Sequence, residues 1–254
     1  MEETIVITGA SSGIGKACAE ILAVPGKRFI LVARRNDRLL ELAAKLEKRG
    51  AQVWTYALDV RSREACQVWA SQIPVAFRNI RVLINNAGLA AGLSGIQEGD
   101  FTDWDRMIDT NVKGLLYTTE AILPFLKQTP GAHIVNMGSI AGKEVYANGN
   151  VYCASKHAVD ALTRSMRIDL LPLGIKVSSV SPGMVETEFS LVRFNGNADR
   201  AAVVYQGMEP LQPEDIAEAV KYILTAPKHV TVADVVLFPS AQASSRDVVR
   251  KPLA

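Results

Sequence analysis

The sequence has no run of ~18 consecutive apolar residues, the length needed to span a bilayer. Its formal net charge is only +2 over 254 residues, too small to draw it to nucleic acid or to an anionic membrane surface. The three cysteines, Cys18, Cys66 and Cys153, are odd in number and far apart, which fits neither a disulfide framework nor a zinc site. The three histidines, His133, His157 and His229, are as scattered and make no metal site. The acidic start Met1-Glu2-Glu3-Thr4 runs straight into an apolar strand, without the basic start and apolar run of a signal peptide. The final Lys251-Pro252-Leu253-Ala254 matches no retention or lipidation signal. These absences predict a cytoplasmic protein whose partner is a small molecule, with no nucleic acid, membrane or metal.

What is present is the ordinary balance of a globular domain, 48% hydrophobic and 21% charged. Short apolar runs alternate with segments of helical period. Strands are expected at Thr4–Thr8, Phe29–Ala33, Val53–Leu58, Val82–Ile84, Ile134–Met137, Ile175–Val180 and Val232–Phe238. Leu39, Leu42, Ala43 and Leu46 follow the i, i+3, i+4, i+7 pattern of a helix that stops at Gly50. Long helices are expected over Asp103–Lys127 and Val151–Leu171. Strand–helix alternation of this kind predicts an α/β fold, a doubly wound parallel sheet of about seven strands with helices on both faces. No repeat, low-complexity linker or charge block divides the chain, so residues 1–254 read as a single domain.

Two segments break the pattern. Leu89–Gly99 is rich in glycine, and Gly183–Leu211 is long and carries Phe189, Arg193, Phe194, Arg200 and Tyr205. Loops of that length in a compact domain are usually lids or binding loops. Both follow strands, so both are expected over the crevice at the carboxyl ends of the sheet, where ligands bind in such folds. The tail, about 240–254, reads either as wrapping a neighbouring subunit or as frayed.

Thr8-Gly9-Ala10-Ser11-Ser12-Gly13-Ile14-Gly15 follows the first strand and opens a helix. Glycines there permit a tight turn and a close backbone approach, and the helix N-terminus offers free N–H groups to a pyrophosphate. The end of the second strand selects between dinucleotides. It carries Arg34-Arg35 and no carboxylate before Asp37, which suits a 2′-phosphate and hence NADP(H) over NAD. The alternative is a solvated basic turn.

Tyr152 and Lys156 are four residues apart, on one face of the expected helix. A phenol titrates near ~10 in water, and an ammonium beside it favours the phenolate. The pair thus makes Tyr152 a proton donor or acceptor. An amphipathic helix with a buried Tyr and an exposed Lys is the alternative.

Together the motifs resemble those of the short-chain dehydrogenase/reductase family. They are Thr8-Gly9-x-x-x-Gly13-x-Gly15, Asp59-Val60, Asn85-Asn86-Ala87-Gly88, Asn111, Ser139, Tyr152-x-x-x-Lys156 and Pro182-Gly183-x-x-x-Thr187. The resemblance implies a Rossmann-type sheet and hydride transfer between NAD(P) and a carbonyl or alcohol. It implies a catalytic group of Asn111, Ser139, Tyr152 and Lys156. Tyr152 is then the general acid/base, and Lys156 lowers its pKa and holds the nicotinamide ribose. Ser139 donates to the substrate oxygen, and Asn111 holds a water that links Lys156 to solvent. On the cofactor side it implies Gly9, Ser11, Ser12, Gly13, Ile14 and Gly15, Asp59 and Val60 by the adenine, and Asn86, Ala87 and Gly88 along the trough. Pro182, Gly183, Val185 and Thr187 would lie by the nicotinamide. A homotetramer or homodimer built on the two long helices is a further implication.

The segments Asp105–Gly114 and Val185–Phe194, with Tyr205, are similar to those of NADP-dependent 3-hydroxy acid dehydrogenases. The expected substrates are serine, allo-threonine, or 3-hydroxypropionate and its oxo form malonic semialdehyde. Such acids need a cation, for which Arg193 and Lys143 are the candidates; the alternative for each is a solvated surface charge. A broad carbonyl reductase for neutral ketones or diketones is the competing function, and a non-catalytic NADP sensor a further one.

Overall fold

The computed structural model describes residues 3–251. Its apolar runs form seven strands, β1 (Thr4–Thr8), β2 (Arg28–Ala33), β3 (Gln52–Ala57), β4 (Ile80–Asn85), β5 (His133–Met137), β6 (Lys176–Pro182) and β7 (Asp234–Leu237). All pair in parallel in one sheet, ordered β3-β2-β1-β4-β5-β6-β7. Side chains alternate across a strand, so Ile5, Ile7, Phe29 and Leu31 enter one core layer while Val6, Ile30 and Val32 enter the other. Both faces are apolar because both are covered. Residues of α1 (Gly13–Leu22) and α2 (Asn36–Glu47) join the first layer; those of α3 (Arg63–Ser71) join the second.

The strand order reverses between β1 and β4, which opens a crevice at their carboxyl ends. The motifs outside the helices each follow such an end. Thr8 closes β1, Asn85 closes β4, Met137 closes β5 and Pro182 closes β6.

The expected helix over 103–127 is interrupted. It runs as α4 (Phe101–Ile108), a π turn over Asp109–Lys113, and α5 (Gly114–Leu126). π turns inside helices occur mostly at functional sites, and this one contains Asn111. The Asn111 amide donates to Leu89 O at 2.8 Å and its oxygen accepts from Leu89 N at 2.8 Å, so the side chain pins the strand-end loop. Next along the chain, α6 (Asn150–Asp169) is fixed by buried polar contacts. Asn136 of β5 donates to Thr163 Oγ1 at 2.9 Å, and Asn111 donates to Ser155 Oγ at 3.0 Å.

The segment 183–211 is not the plain loop that its composition suggests. It contains α7 (Phe189–Arg193) and α8 (Ala198–Val203). Tyr205 joins its two ends, sharing a 2.8 Å hydrogen bond with Ser190 Oγ and donating to Val185 O at 2.8 Å. A last helix, α9 (Pro213–Thr225), packs in the first layer through Ile216, Val220 and Ile223. The tail up to Lys251 lies on its own chain: Lys251 N donates to Gly207 O at 2.8 Å, and Arg250 reaches Val204 O at 2.9 Å. Its final three residues, and with them part of the sequence expectation for 240–254, lie outside the described residues, as do Met1 and Glu2. Among the described residues no helix is long and apolar enough to cross a membrane.

Trp69 of α3 is fully buried, and its indole Nε1 has no hydrogen-bond partner. Leaving such a donor unmade costs about 1–3 kcal/mol. Trp69→Phe removes the donor along with some apolar area and is expected to change stability by less than about 1 kcal/mol, whereas Trp69→Ala loses about 3–5 kcal/mol. Urea denaturation of both variants measures this; equal losses would mean that the indole N–H is satisfied in solution.

Candidate active site

The strand ends and the covering segment enclose one cavity of about 1000 Å³. Of the residues expected on the cofactor side, all line it except Gly15, which lies beneath the turn. Gly9 and Gly13 have φ of +66° and +50°, a region that favours glycine. A Cβ on Gly15 would lie 2.5 Å from Gly9 O and would also strike Asn86. Asn86 fastens the two strand ends, donating to Thr8 O at 3.0 Å and to Gly9 O at 3.1 Å. This bare turn at the start of α1 is a cradle that a pyrophosphate fits.

At the end of β2, Arg34 is exposed and Arg35 reaches back over the turn. Arg35 donates to Ser12 Oγ at 2.7 Å and to Ser11 Oγ at 3.3 Å. It also pairs with Glu188 at 2.8 Å, and Arg38 pairs with the other oxygen of Glu188 at 2.5 Å. Neither Arg38 nor Glu188 was an expected site residue. Asp59 lines the cavity paired with Arg61 at 2.6 Å, and the hydrogen bonds from Arg61, with its charge and that of Arg34, hold its carboxyl below the usual range despite partial burial.

At the far end Ser139, Tyr152 and Lys156 line the same cavity, with Ser139 hydrogen-bonded to Tyr152. Ser139 follows β5, and its hydroxyl accepts from Ala141 N at 3.1 Å. Tyr152 and Lys156 occupy the first turns of α6, and both are buried. The Lys156 ammonium donates to Met137 O at 2.9 Å. Burial alone pushes its pKa down from 10.5 to about 8. Burial pushes the Tyr152 phenol up, with Tyr146 adding to the rise, while a hydrogen bond with Ser139 and the charge of Arg193 offset it only in part. The structure therefore differs from the expected lowering of Tyr152 by Lys156. Both groups are buried, and desolvation favours the neutral form of each.

Asn111 does not line the cavity but borders it. Its Oδ1 would lie 3.2 Å from a Cβ on Gly88, and Lys156 Nζ 3.6 Å from the same point. That oxygen keeps a second lone pair beyond its bond to Leu89.

The two candidate cations separate. Lys143 is away from the cavity, held between Asp160 and Asp234 at 2.5 Å each, so the expected carboxylate contact falls away for it. Arg193 is in the cavity, its guanidinium carbon 5.6 Å from the centre of the Tyr152 ring and 5.5 Å from that of Tyr146. It donates to Tyr146 Oη at 3.0 Å and to Gly92 O at 3.2 Å, and no ion pair joins it among the described residues. Tyr146 and Phe189, which packs edge-on to Tyr152 at 5.6 Å, complete this wall; only their neighbourhood to Tyr152 and Arg193 in sequence could have flagged them. Among the described residues no group of acidic, histidine or cysteine side chains could hold a metal.

Comparison with known proteins gives the same picture. The family model for short chain dehydrogenases matches residues 3–196. Sulfoacetaldehyde reductase 2 of Chromohalobacter salexigens is 46% identical, with 96% of this chain and 97% of that protein covered. The NADP-dependent 3-hydroxy acid dehydrogenase of Schizosaccharomyces pombe is 43% identical, with 98% and 97% covered. The closed form of a serine dehydrogenase complexed with NADP+ superposes with a TM-score of 0.90 at 37% identity, covering 98% of this chain and 99% of that one.

The Lys156 amine gives a stability prediction. Its folded pKa of about 8 lies below its ordinary 10.5, so the unfolded chain binds more protons between those values and stability rises with pH across them. In the cofactor-free protein, Lys156→Met is expected to be about 2–3 kcal/mol more stable than the parent at pH 7, with the gap closing above pH 10. Thermal melts at both pH values measure it; a gap that does not change with pH would contradict a desolvated ammonium.

Proposed function

This chain belongs to the short chain dehydrogenase family, and from that membership we propose that it interconverts a small 3-hydroxy acid and its 3-oxo form. NADP is the cofactor. When bound, its nicotinamide supplies or accepts the hydride. Gly9, Gly13 and Gly15 clear the backbone for its pyrophosphate, and Arg34 and Arg35 hold its 2′-phosphate. Thr187, Val185, Pro182 and Gly183 line the nicotinamide end. Residues 1–254 form one catalytic unit, with 183–211 as its cover.

The observation that carries the substrate class is Arg193. It is a guanidinium in the cavity wall, beside the acid/base tyrosine, with no carboxylate of its own. An anionic group on a small substrate, two bonds from the reacting carbon, would pair with it and place the carbonyl at Tyr152. Carboxylate and sulfonate both meet that requirement, which is why serine, allo-threonine, 3-hydroxypropionate and malonic semialdehyde stand beside sulfoacetaldehyde. The last is included because of the resemblance to sulfoacetaldehyde reductase 2.

The chain's own residues move the proton. Tyr152, kept protonated by burial, gives its proton to the carbonyl oxygen in reduction and takes it back in oxidation. Ser139 donates to the same oxygen as charge develops on it. Lys156 follows Tyr152 as the next proton carrier, and Asn111 Oδ1 holds a water on the way to solvent. We place the enzyme in the cytoplasm, which the three unpaired buried cysteines support. A homotetramer or homodimer is supported by the apolar residues exposed on α4, α5 and α6, Phe101, Leu116 and Ile168 among them.

Two variants test this. Tyr152→Phe is expected to lose about 10²–10⁴-fold in kcat while binding NADPH as before; full turnover would sink the acid/base assignment. Arg193→Ala is expected to raise KM for malonic semialdehyde and sulfoacetaldehyde about 10–100-fold, from the loss of a charge-assisted pair. A neutral diketone should be affected much less. Equal losses on charged and neutral substrates would favour the broad carbonyl reductase instead.

A further inference from the structure

Glu188 ties together two parts of the molecule that are about 150 residues apart in the chain. It belongs to the substrate cover, between Thr187 of the cavity wall and the first residue of α7. Its two carboxylate oxygens reach across the crevice to different arginines of the β2–α2 corner, Oε2 to Arg35 and Oε1 to Arg38. Arg35 also holds Ser11 and Ser12 of the glycine turn. The carboxylate is held in its charged form by the hydrogen bonds from Arg38 and Arg35.

The charges at this corner are informative. Arg34, Arg35 and Arg38 bring three positive charges to this corner, where Glu188 pairs directly with two of them and Asp37, Glu41 and Asp59 lie farther off. Arg34 and Arg35, which line the cavity, are the guanidiniums placed to meet a phosphate monoester. Without Glu188 the two half-exposed guanidiniums it holds would repel each other and splay into solvent. With it, each is fixed by one oxygen, and Arg35 keeps its place over Ser11 and Ser12.

We infer that Glu188 is a specificity-determining positioning residue. It holds Arg35 in place for the 2′-phosphate, anchored from its other oxygen by Arg38, and through the same two ion pairs it straps the substrate cover to that corner. The inference rests on the reading that Arg34 and Arg35 hold the 2′-phosphate. It makes cofactor choice and substrate closure one event. Phe189 and Arg193, which face Tyr152, are on the helix that begins at the strap. A cofactor that lacks the phosphate leaves the corner unfilled and gains nothing from Glu188.

The test is the dissociation constant of NADPH and of NADH, read from nicotinamide fluorescence, for the parent, Glu188→Gln and Arg35→Ala. Glu188→Gln is expected to weaken NADPH about three- to tenfold, the range of two half-exposed ion pairs, and to leave NADH unchanged. At saturating NADPH it should raise KM for the carbonyl substrate a few-fold with kcat little altered. Arg35→Ala should weaken NADPH more than Glu188→Gln does, and NADPH more than NADH. Equal or tighter NADPH binding by Glu188→Gln would overturn the inference, since it would make Glu188 merely a charge opposed to the phosphate. Equal weakening of both cofactors would also overturn it, since the strap would then serve only the loop. Unchanged NADPH binding by Arg35→Ala would instead remove the underlying phosphate assignment.

Discussion

The whole arrangement depends on taking a phenol and an ammonium out of water together. Tyr152 and Lys156 are one helical turn apart and both buried, so desolvation acts against the charged form of each. The phenol keeps its proton and the amine is ready to give one up. A side chain that must deliver a proton to a carbonyl is well served by the first condition, and one that must pass protons onward by the second. The cations near the phenol are therefore of unequal use. Arg193, always charged, carries the local positive field beside the ring, while Lys156 is turned to Met137 O.

The fold supplies that dryness. Parallel strands bring six strand ends to one edge, and each end delivers a functional group without needing a long loop. A buried polar ladder from Asn136 to Thr163, and the clamp of Asn111 on Leu89 and Ser155, fix α6 against the sheet. The cover over 183–211 then closes the remaining side. Its ties include Glu188 to the arginine corner, Arg193 to Gly92, and Arg250 to the carbonyls of α8's end. Arg193 at the cavity wall and Glu188 at the arginine corner thus belong to one short helix and the position before it.

Much of this is legible in the sequence, for identifiable reasons. The strands show because burial on both faces forces unbroken apolar runs, as in Phe29–Ala33. The glycine turn shows because only glycine tolerates its backbone at positions 9 and 13. Tyr152 and Lys156 show because helical spacing alone brings them together. What is hidden depends on contacts between distant segments. The π turn around Asn111 is set by Leu89, 22 residues earlier. Glu188 pairs with arginines about 150 residues away, and no local pattern announces that. Lys143 and Arg193 look alike as lone cations beside the site; only the acids Asp160 and Asp234, brought in by α6 and β7, separate them. The sign of the Tyr152 shift is likewise a matter of burial, which spacing does not reveal.

The most direct measurement is the titration of the Tyr152 phenol itself, by NMR of protein labelled at the tyrosine ζ-carbon, with Tyr152→Phe to assign the signal and no cofactor present. A phenol governed by desolvation stays protonated through pH 10. Ionisation near neutral pH in the free protein would contradict it, and would restore Lys156 as the group that sets the tyrosine's acidity.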